Sequence, residues 1–190
     1  MRNIALFGVP GAGKGTQAKL LAERYHLSHI STGELIRNEI KNGTELGKKA
    51  KAIIDRGELL DDAIISDMFK SELKRLMNTP GLLFDGYPRT LKQAEIFDAM
   101  LKELGLKLDC MLELSLSEEE STARILKRAE IEGRSDDNLQ TVKARFDEYR
   151  SKTAPIADHY KAAGLYKCLD GTGTIDDVQK RIVAVLENIK

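Results

Sequence analysis

The sequence predicts an α/β fold in which a parallel sheet of about five strands carries helices on both faces. Short apolar runs recur along the 190 residues, and the segments between them have apolar residues at every third or fourth position. This alternation is typical of parallel sheets, because parallel strands need helical crossover connections. A chain of this length suits one buried domain with small insertions.

The apolar runs and the helical spacing place most elements in order. The predicted strands are residues 4–7, 29–30, 82–84, 110–116 and 165–169, of which 29–30 has the weakest pattern. The predicted helices are residues 13–25, 63–77, 91–104 and 178–189. Pro155 is expected to break the helical run that begins near Asn138, because proline lacks the backbone N–H that a helix interior needs.

Two polar stretches do not look like parts of the core. Residues 32–62 are rich in charge and broken by four glycines, which predicts two or three short helices standing off the sheet. Residues 127–137 contain one aliphatic side chain besides an alanine, which predicts an exposed loop.

Composition limits the partners and the compartment. Thirty basic and thirty acidic residues give a formal net charge of zero, so no general attraction to nucleic acid or to an anionic membrane is expected. No apolar run is long enough for a signal peptide or a membrane span, so we expect a cytoplasmic protein. Cys110 and Cys168 are far apart in strand-like sequence and are expected to be two buried thiols.

The strongest motif lies directly after the first strand. It reads Gly-Val-Pro-Gly-Ala-Gly-Lys-Gly-Thr from Gly8 to Thr16 and is followed by a helix. Glycines at these positions let successive amides point inward, and the helix N-terminus adds partial positive charge to a phosphate nest. The alternative is a glycine-rich turn with an incidental lysine. The motif predicts contacts with the phosphates of a nucleotide at Gly11, Ala12, Gly13, Lys14, Gly15 and Thr16.

Asp85 follows a short apolar run, which places its carboxylate at the carboxyl end of a strand. A magnesium site is one interpretation, and an aspartate that caps the following turn is the other. Gly15 stands where phosphate loops usually carry a hydroxyl ligand for the metal. We therefore expect nucleotide phosphates and water to hold the ion, with Asp85 acting through that water.

Four sequence blocks together resemble the adenylate kinase family: residues 8–17, 31–37, 84–89 and 133–138. The resemblance implies a single P-loop NTPase-type kinase domain over residues 1–190. It also implies an insertion for the nucleoside monophosphate (NMP) at 31–60 and a short lid at 127–137. This lid contains neither cysteine nor histidine, so we expect no structural zinc. We also treat the three histidines of the chain as surface or packing residues.

The same resemblance implies site residues, and it agrees with the physical need for cations around a moving phosphoryl group. The implied catalytic residues are Lys14, Arg89, Arg128, Arg134 and Arg145. Besides the phosphate loop, the implied ATP contacts are Arg128 and Gly173. The implied AMP contacts are Thr32, Arg37, Glu58, Leu59, Leu60, Gly86, Tyr87, Pro88, Arg89, Gln93, Arg134 and Arg145. Arg124 is either a further cleft residue or a solvated helix charge.

The implied reaction is a reversible, magnesium-dependent transfer between ATP and AMP that yields two ADP. We expect a monomer, because the sequence shows no apolar face beyond what the sheet needs. It needs no general base, because the acceptor phosphate is already anionic. Thr32 and Gln93 favour adenine as the acceptor base, whereas Glu34 also occurs in pyrimidine-selective relatives. Transfer to UMP or CMP is therefore one alternative. A nucleotide-binding module with little turnover is the other.

Overall fold

The computed structural model describes residues 2–134 and 136–189 and contains one five-stranded sheet. Its strands are β1 (Arg2–Gly8), β2 (Ser28–Ser31), β3 (Gly81–Asp85), β4 (Cys110–Ser115) and β5 (Tyr166–Asp170). The spatial order is β2-β3-β1-β4-β5, and every pairing is parallel. All carboxyl ends therefore meet at one edge of the sheet, with the end of β1 in the middle. The predicted parallel sheet is confirmed, including the weakly patterned strand β2.

Helices connect the strands and cover the sheet. They are α1 (Lys14–Tyr25), α2 (Thr32–Lys41), α3 (Glu45–Ile54), α4 (Asp62–Leu76), α5 (Leu91–Glu103), α6 (Glu118–Glu132), α7 (Leu139–Glu148), α8 (Ile156–Ala162) and α9 (Ile175–Glu187). Several begin at a Ser, Thr, Asp or Asn side chain that accepts a hydrogen bond from the first turn, as at Ser31, Asp61 and Thr90. None of the described helices has the length and hydropathy that a membrane span requires.

The core has one apolar layer on each face of the sheet. Ala5 and Phe7 of β1 face a layer formed mainly by α4, α5 and α8, whereas Ile4 and Leu6 face a layer formed by α1 and α9. This division follows from the alternation of side chains along a strand. It confirms the prediction of helices on both faces, and it fixes the sheet edge that carries the functional residues.

A cluster of aromatic side chains fills the first of these layers. The Tyr87 ring stacks on Phe69 with 4.2 Å between the centroids, and Phe97 packs edge-on against both rings. Phe84 packs edge-on against Phe97 and is tilted against Phe69. The buried hydroxyl of Tyr87 lies 2.8 Å from Ser66 Oγ on α4, so each polar group satisfies the other. The cluster therefore anchors the segment that follows β3, where Tyr87–Pro88 is a cis peptide bond.

We expect Tyr87→Phe to lower the free energy of unfolding by about 1–3 kcal/mol, because it leaves Ser66 Oγ buried without its partner. The double variant Tyr87→Phe/Ser66→Ala is expected to lose less than Tyr87→Phe alone, since no unpaired polar atom then remains. Urea unfolding of both variants and of Ser66→Ala measures this difference. Additive losses would contradict the predicted coupling.

The predicted NMP insertion contains two short helices, α2 and α3, in agreement with the sequence. The prediction of an exposed loop at residues 127–137 is wrong for its first part, because α6 continues to Glu132. Residues 127–132 are mostly good helix formers, and the helix ends at Gly133, which caps it with φ 63°. Arg128 therefore lies on a helix, which fixes its direction better than a loop would.

The helical run after Asn138 contains a short π-turn, Tyr149–Thr153, between α7 and α8. The N–H of Ala154 donates to the carbonyl of Tyr149 at 2.8 Å, a spacing of five residues instead of four. Two side chains tie the turn to its surroundings. Tyr149 donates to Glu113 of β4 at 2.5 Å, and Thr153 donates to the carbonyl of Arg89 at 2.8 Å. The helical run is interrupted at Ala154 and Pro155, between the π-turn and α8, where the sequence predicts a break.

The expectation of two buried thiols is wrong for one of them. Cys110 is buried, whereas Cys168 is exposed. Cys168 lies on β5, which pairs only with β4 and forms one edge of the sheet. Its apolar run does not distinguish an edge strand from a central one, because the run does not encode the strand order.

Candidate active site

A deep cleft of about 1490 Å³ opens at the carboxyl ends of the strands. With the exception of Tyr87, every residue that the sequence predicts to contact ATP, AMP or the metal lines this cleft. The Tyr87 side chain points into the aromatic cluster instead and is fully buried there. Its neighbours Gly86 and Pro88 do line the cleft, so only the backbone of Tyr87 is near the site.

The phosphate loop joins β1 to α1 at the centre of the cleft. Gly8, Gly11 and Gly13 have φ values of 135°, 80° and 85°, which residues with a side chain rarely adopt. At Gly8 a Cβ atom would also lie 2.3 Å from the carbonyl oxygen of Leu114. No side chain in the described part of the chain caps the N-terminus of α1. Its first amides and the helix dipole are therefore directed at the cleft, which suits an anion.

Lys14 is folded back onto this loop. Its Nζ donates to the carbonyls of Gly8 and Val9, both at 2.9 Å. Burial and, to a smaller extent, the charge of Arg89 lower the pKa of Lys14 to about 7, although the charge of Asp85 acts in the opposite direction. The charged ammonium form is therefore destabilised, because too little negative charge surrounds it. A bound polyphosphate would supply that charge and stabilise the ammonium.

Asp85 ends β3 beside the phosphate loop, and its side chain is 11% exposed. Its Oδ2 accepts from Ser31 Oγ at 3.3 Å and lies 3.5 Å from His29 Nε2. Burial alone would raise the pKa of Asp85, but His29 and Lys14 outweigh it and hold the pKa below its usual value. The group is therefore a carboxylate at neutral pH, which a cation or its water ligands could contact.

Arginines from separate elements converge on the space in front of the phosphate loop. They come from α2, the loop after β3, α6, the segment after α6, and α7: Arg37, Arg89, Arg128, Arg134 and Arg145. Burial lowers the pKa of Arg37, and the nearby charge of Arg134 lowers it further. So many guanidinium groups in one cleft repel one another unless anions bind there.

Two acidic residues hold part of this arginine cluster in place. Asp137, whose side chain is fully buried, accepts two hydrogen bonds from Arg128 at 2.6 and 2.7 Å and one from Arg145 at 2.9 Å. Asp136 accepts a further hydrogen bond from Arg145 at 3.2 Å. Burial would raise the pKa of Asp137, but its bonds with Arg128 outweigh this and keep the pKa low. The pair thus fixes the orientation of two guanidinium groups from α6 and α7.

The two ends of the cleft differ in shape and in polar groups. Toward the NMP insertion, Thr32 donates to the carbonyl of Gly86 at 2.8 Å, and Gln93 lines the wall. At the opposite end, Arg124 donates to the carbonyl of Gly171 at 3.0 Å, beside the turn that contains Gly173. Arg124 is therefore a cleft residue and not only a solvated helix charge.

The sequence reasoning missed several residues that shape the site. His29 lies against Asp85, although we had treated the histidines as surface or packing residues, and Thr153 supports the backbone of Arg89. Asp136 and Asp137 belong to a recognised block but had no assigned role. Their position directly after Arg134 and Ser135 is a local signal that could have indicated a role in pairing arginines. Thr153 gives no such signal.

Within residues 2–134 and 136–189, no three His, Cys, Asp or Glu side chains come together as a site for a metal ion. A magnesium ion here would need ligands from the nucleotide and from water, which agrees with a lone carboxylate at Asp85. A Cβ atom added to Gly15 would lie 3.6 Å from Asp85 Oδ2, so these two residues enclose the same small space.

Comparison with known proteins agrees with the geometry of the cleft. A family model described as adenylate kinase matches residues 6–165. The chain is 47% identical to an adenylate kinase from Phocaeicola vulgatus and 45% identical to one from Parabacteroides distasonis, and each alignment covers both chains completely. It is 44% identical to an adenylate kinase from Porphyromonas gingivalis, of which 98% is covered. The chain therefore belongs to the adenylate kinase family.

Proposed function

We propose that this protein is an adenylate kinase, a phosphotransferase that moves the terminal phosphoryl group of ATP to AMP and forms two ADP. The reaction is reversible, because the bonds broken and formed are alike, and it would keep the adenine nucleotides in balance. The observation that carries the proposal is the convergence of Lys14 and five arginines on one cleft of about 1490 Å³. A site for one nucleotide would not need cations on both sides of the phosphates.

The donor half of the mechanism belongs to the phosphate loop. The amides of Gly11, Gly13 and Gly15 and the N-terminus of α1 would bind the ATP phosphates. Lys14 would exchange the carbonyls of Gly8 and Val9 for oxygens of the β and γ phosphates. The adenine would lie at the end of the cleft that Arg124 and Gly173 line.

The acceptor half depends on arginines. Arg37 and Arg89 would hold the α-phosphate of AMP in line with the bond that breaks, since a guanidinium fixes both charge and orientation. Arg128, Arg134 and Arg145 would neutralise the charge on the moving phosphoryl group. No residue has to accept a proton, because the acceptor oxygen is anionic at neutral pH.

Magnesium fits the site as a companion of the nucleotide. Asp85 would hold it through water, beside Gly15, which leaves room where a larger side chain would not. When bound, the ion neutralises phosphate charge and orients the ATP phosphates. The carboxylate keeps its position through Ser31 and His29.

Two peripheral segments would exclude water from the transfer. We assign residues 31–60 to AMP binding and residues 127–137 to a short lid, both within one domain that spans residues 1–190. Each segment carries arginine toward the phosphates, so closure would bring charge and exclude water in one step. We further propose that the enzyme acts as a monomer in the cytoplasm.

The proposal is tested with purified protein, MgATP and each of AMP, CMP, UMP and GMP, with nucleotide products separated by chromatography. We expect AMP to be the preferred acceptor and two ADP to appear for each ATP consumed. Removal of magnesium with a chelator should abolish the reaction. Preference for UMP or CMP would overturn the acceptor assignment but not the chemistry. ADP formed without an acceptor would indicate a hydrolase, and tight ATP binding without turnover would indicate a binding module.

A further inference from the structure

Asp62, at the first position of α4, contacts the opposite helix α5 through two side chains. Its Oδ1 accepts from Gln93 Nε2 at 2.7 Å, and both its oxygens lie 3.1 Å from the hydroxyl of Thr90. Thr90 in turn caps α5 by accepting from the N–H of Gln93. No family block quoted above includes Asp62, and the mechanism does not use it. Its carboxylate nevertheless touches the amide of Gln93, which lines the cleft.

The amide of Gln93 has a single orientation in this arrangement. The side chain is 2% exposed, its Oε1 accepts from the N–H of Arg89 at 2.8 Å, and its Nε2 donates to Asp62. A flipped amide would place its oxygen against the Asp62 carboxylate and its NH₂ group against the N–H of Arg89. One contact would then place an acceptor against an acceptor, and the other a donor against a donor. Because the amide is buried, each group left without a hydrogen bond is costly.

The fixed amide leaves two positions for a ligand. An amide oxygen can accept two hydrogen bonds and an amide nitrogen can donate two, so one of each remains after the contacts with Arg89 and Asp62. Adenine presents an acceptor at N1 beside a donor at its 6-amino group, which matches this pair. Hypoxanthine and guanine present a donor at N1 beside an acceptor at O6, which matches only the flipped amide.

We infer that Asp62 is a specificity-determining positioning residue, which locks the Gln93 amide in the orientation that accepts a 6-amino purine and rejects a 6-oxo purine. The inference rests on the proposed function, in which Gln93 faces the base of the acceptor nucleotide. Cytosine shares the donor and acceptor order of adenine. The fixed orientation of the amide therefore discriminates AMP from IMP and GMP, whereas the size of the site has to discriminate AMP from CMP.

The most direct probe is inosine monophosphate (IMP), which differs from AMP only at the two atoms that the amide would read. In Asp62→Asn the new side chain can either accept from Gln93 or donate to it, so one of the two barriers to the flipped amide disappears. We expect the ratio of kcat/KM for AMP over IMP to fall about tenfold, which corresponds to a loss of about 1.4 kcal/mol of discrimination. Asp62→Glu retains a carboxylate and should keep most of the wild-type ratio.

Asp61→Asn is the matched control. Asp61 is the exposed neighbour of Asp62 and caps α4 by accepting from the amides of Ala63 and Ile64. Asparagine caps a helix about as well as aspartate, and the variant removes the same charge. It should keep the wild-type AMP/IMP ratio. Thermal unfolding of each variant identifies any loss of folded protein.

The outcomes separate this inference from the function on which it rests. A fall in the AMP/IMP ratio in Asp62→Asn, but not in Asp61→Asn, supports the inference that Asp62 fixes the orientation of the Gln93 amide. Equal losses toward both acceptors would show that Asp62 only supports the fold, and an unchanged ratio, or the same change in Asp61→Asn, would equally overturn the inference. If the wild-type protein transfers nothing to AMP, the proposed function fails first and the inference fails with it.

Discussion

Lys14→Met is expected to lower kcat by about 10³-fold, the size of effect seen when a preorganised donor to developing charge is removed. Methionine has a similar length but carries no charge and cannot donate. The Lys14 ammonium lies against the phosphate loop, where it donates to the carbonyls of Gly8 and Val9, and the charge of Asp85 raises its pKa. Steady-state kinetics at saturating MgATP and AMP measure the loss.

Lys92→Met provides the control for Lys14→Met. Lys92 lies on α5 with its side chain 67% exposed, and it makes only a long ion pair of 3.7 Å with Glu95. Its replacement should leave kcat within about twofold, as surface substitutions generally do. A Lys14→Met enzyme with near wild-type kcat would show that the loop amides and arginines suffice. Lys14 would then be a structural residue that closes the loop.

Arg89→Ala is expected to lower kcat/KM for AMP by about 10³-fold, because it removes charge-assisted hydrogen bonds to the acceptor phosphate and the in-line position that they would fix. Arg89 is positioned from both sides. Its Nε donates to the carbonyl of Gly86 at 2.8 Å, and its own carbonyl accepts from Thr153. Affinity for MgATP should change far less, which equilibrium binding of ATP without AMP can measure.

Arg75→Ala is the matched variant for Arg89→Ala. Arg75 is exposed on α4, where it pairs with Glu72 and does not line the cleft. It should leave both kinetic constants near wild type. If Arg89→Ala weakened ATP and AMP equally, Arg89 would belong to a general positive field and not to an acceptor clamp.

The sequence predicts the central part of this site well, because phosphate binding requires particular residues within short segments of the chain. The left-handed φ values at Gly11 and Gly13 are possible for few residues other than glycine, so the phosphate loop can be identified from its letters. Strand β3 likewise predicts the place of Asp85, since a carboxylate directly after a buried parallel strand must lie at the ligand edge of the sheet.

The rest depends on contacts between residues distant in the chain. Asp62 and Gln93 are 31 residues apart, and neither periodicity nor composition indicates that they meet. The exposure of Cys168 depends on the order of the strands, and the contact between Thr153 and Arg89 depends on the path of a helix across the sheet. Such pairings arise only when the whole fold is assembled.

Because of the π-turn at Tyr149–Thr153, the geometry of the site depends on the number of residues in this segment. Each residue of a regular helix adds about 100° of rotation and about 1.5 Å of rise. Loss of one residue, for example the exposed Ser151, would let the turn close with ordinary helical spacing and would rotate everything beyond it relative to α7. Arg145 could then no longer line the cleft while Thr153 donates to the carbonyl of Arg89. In this segment a single-codon deletion would thus be more harmful than most substitutions, although the residue removed touches no nucleotide.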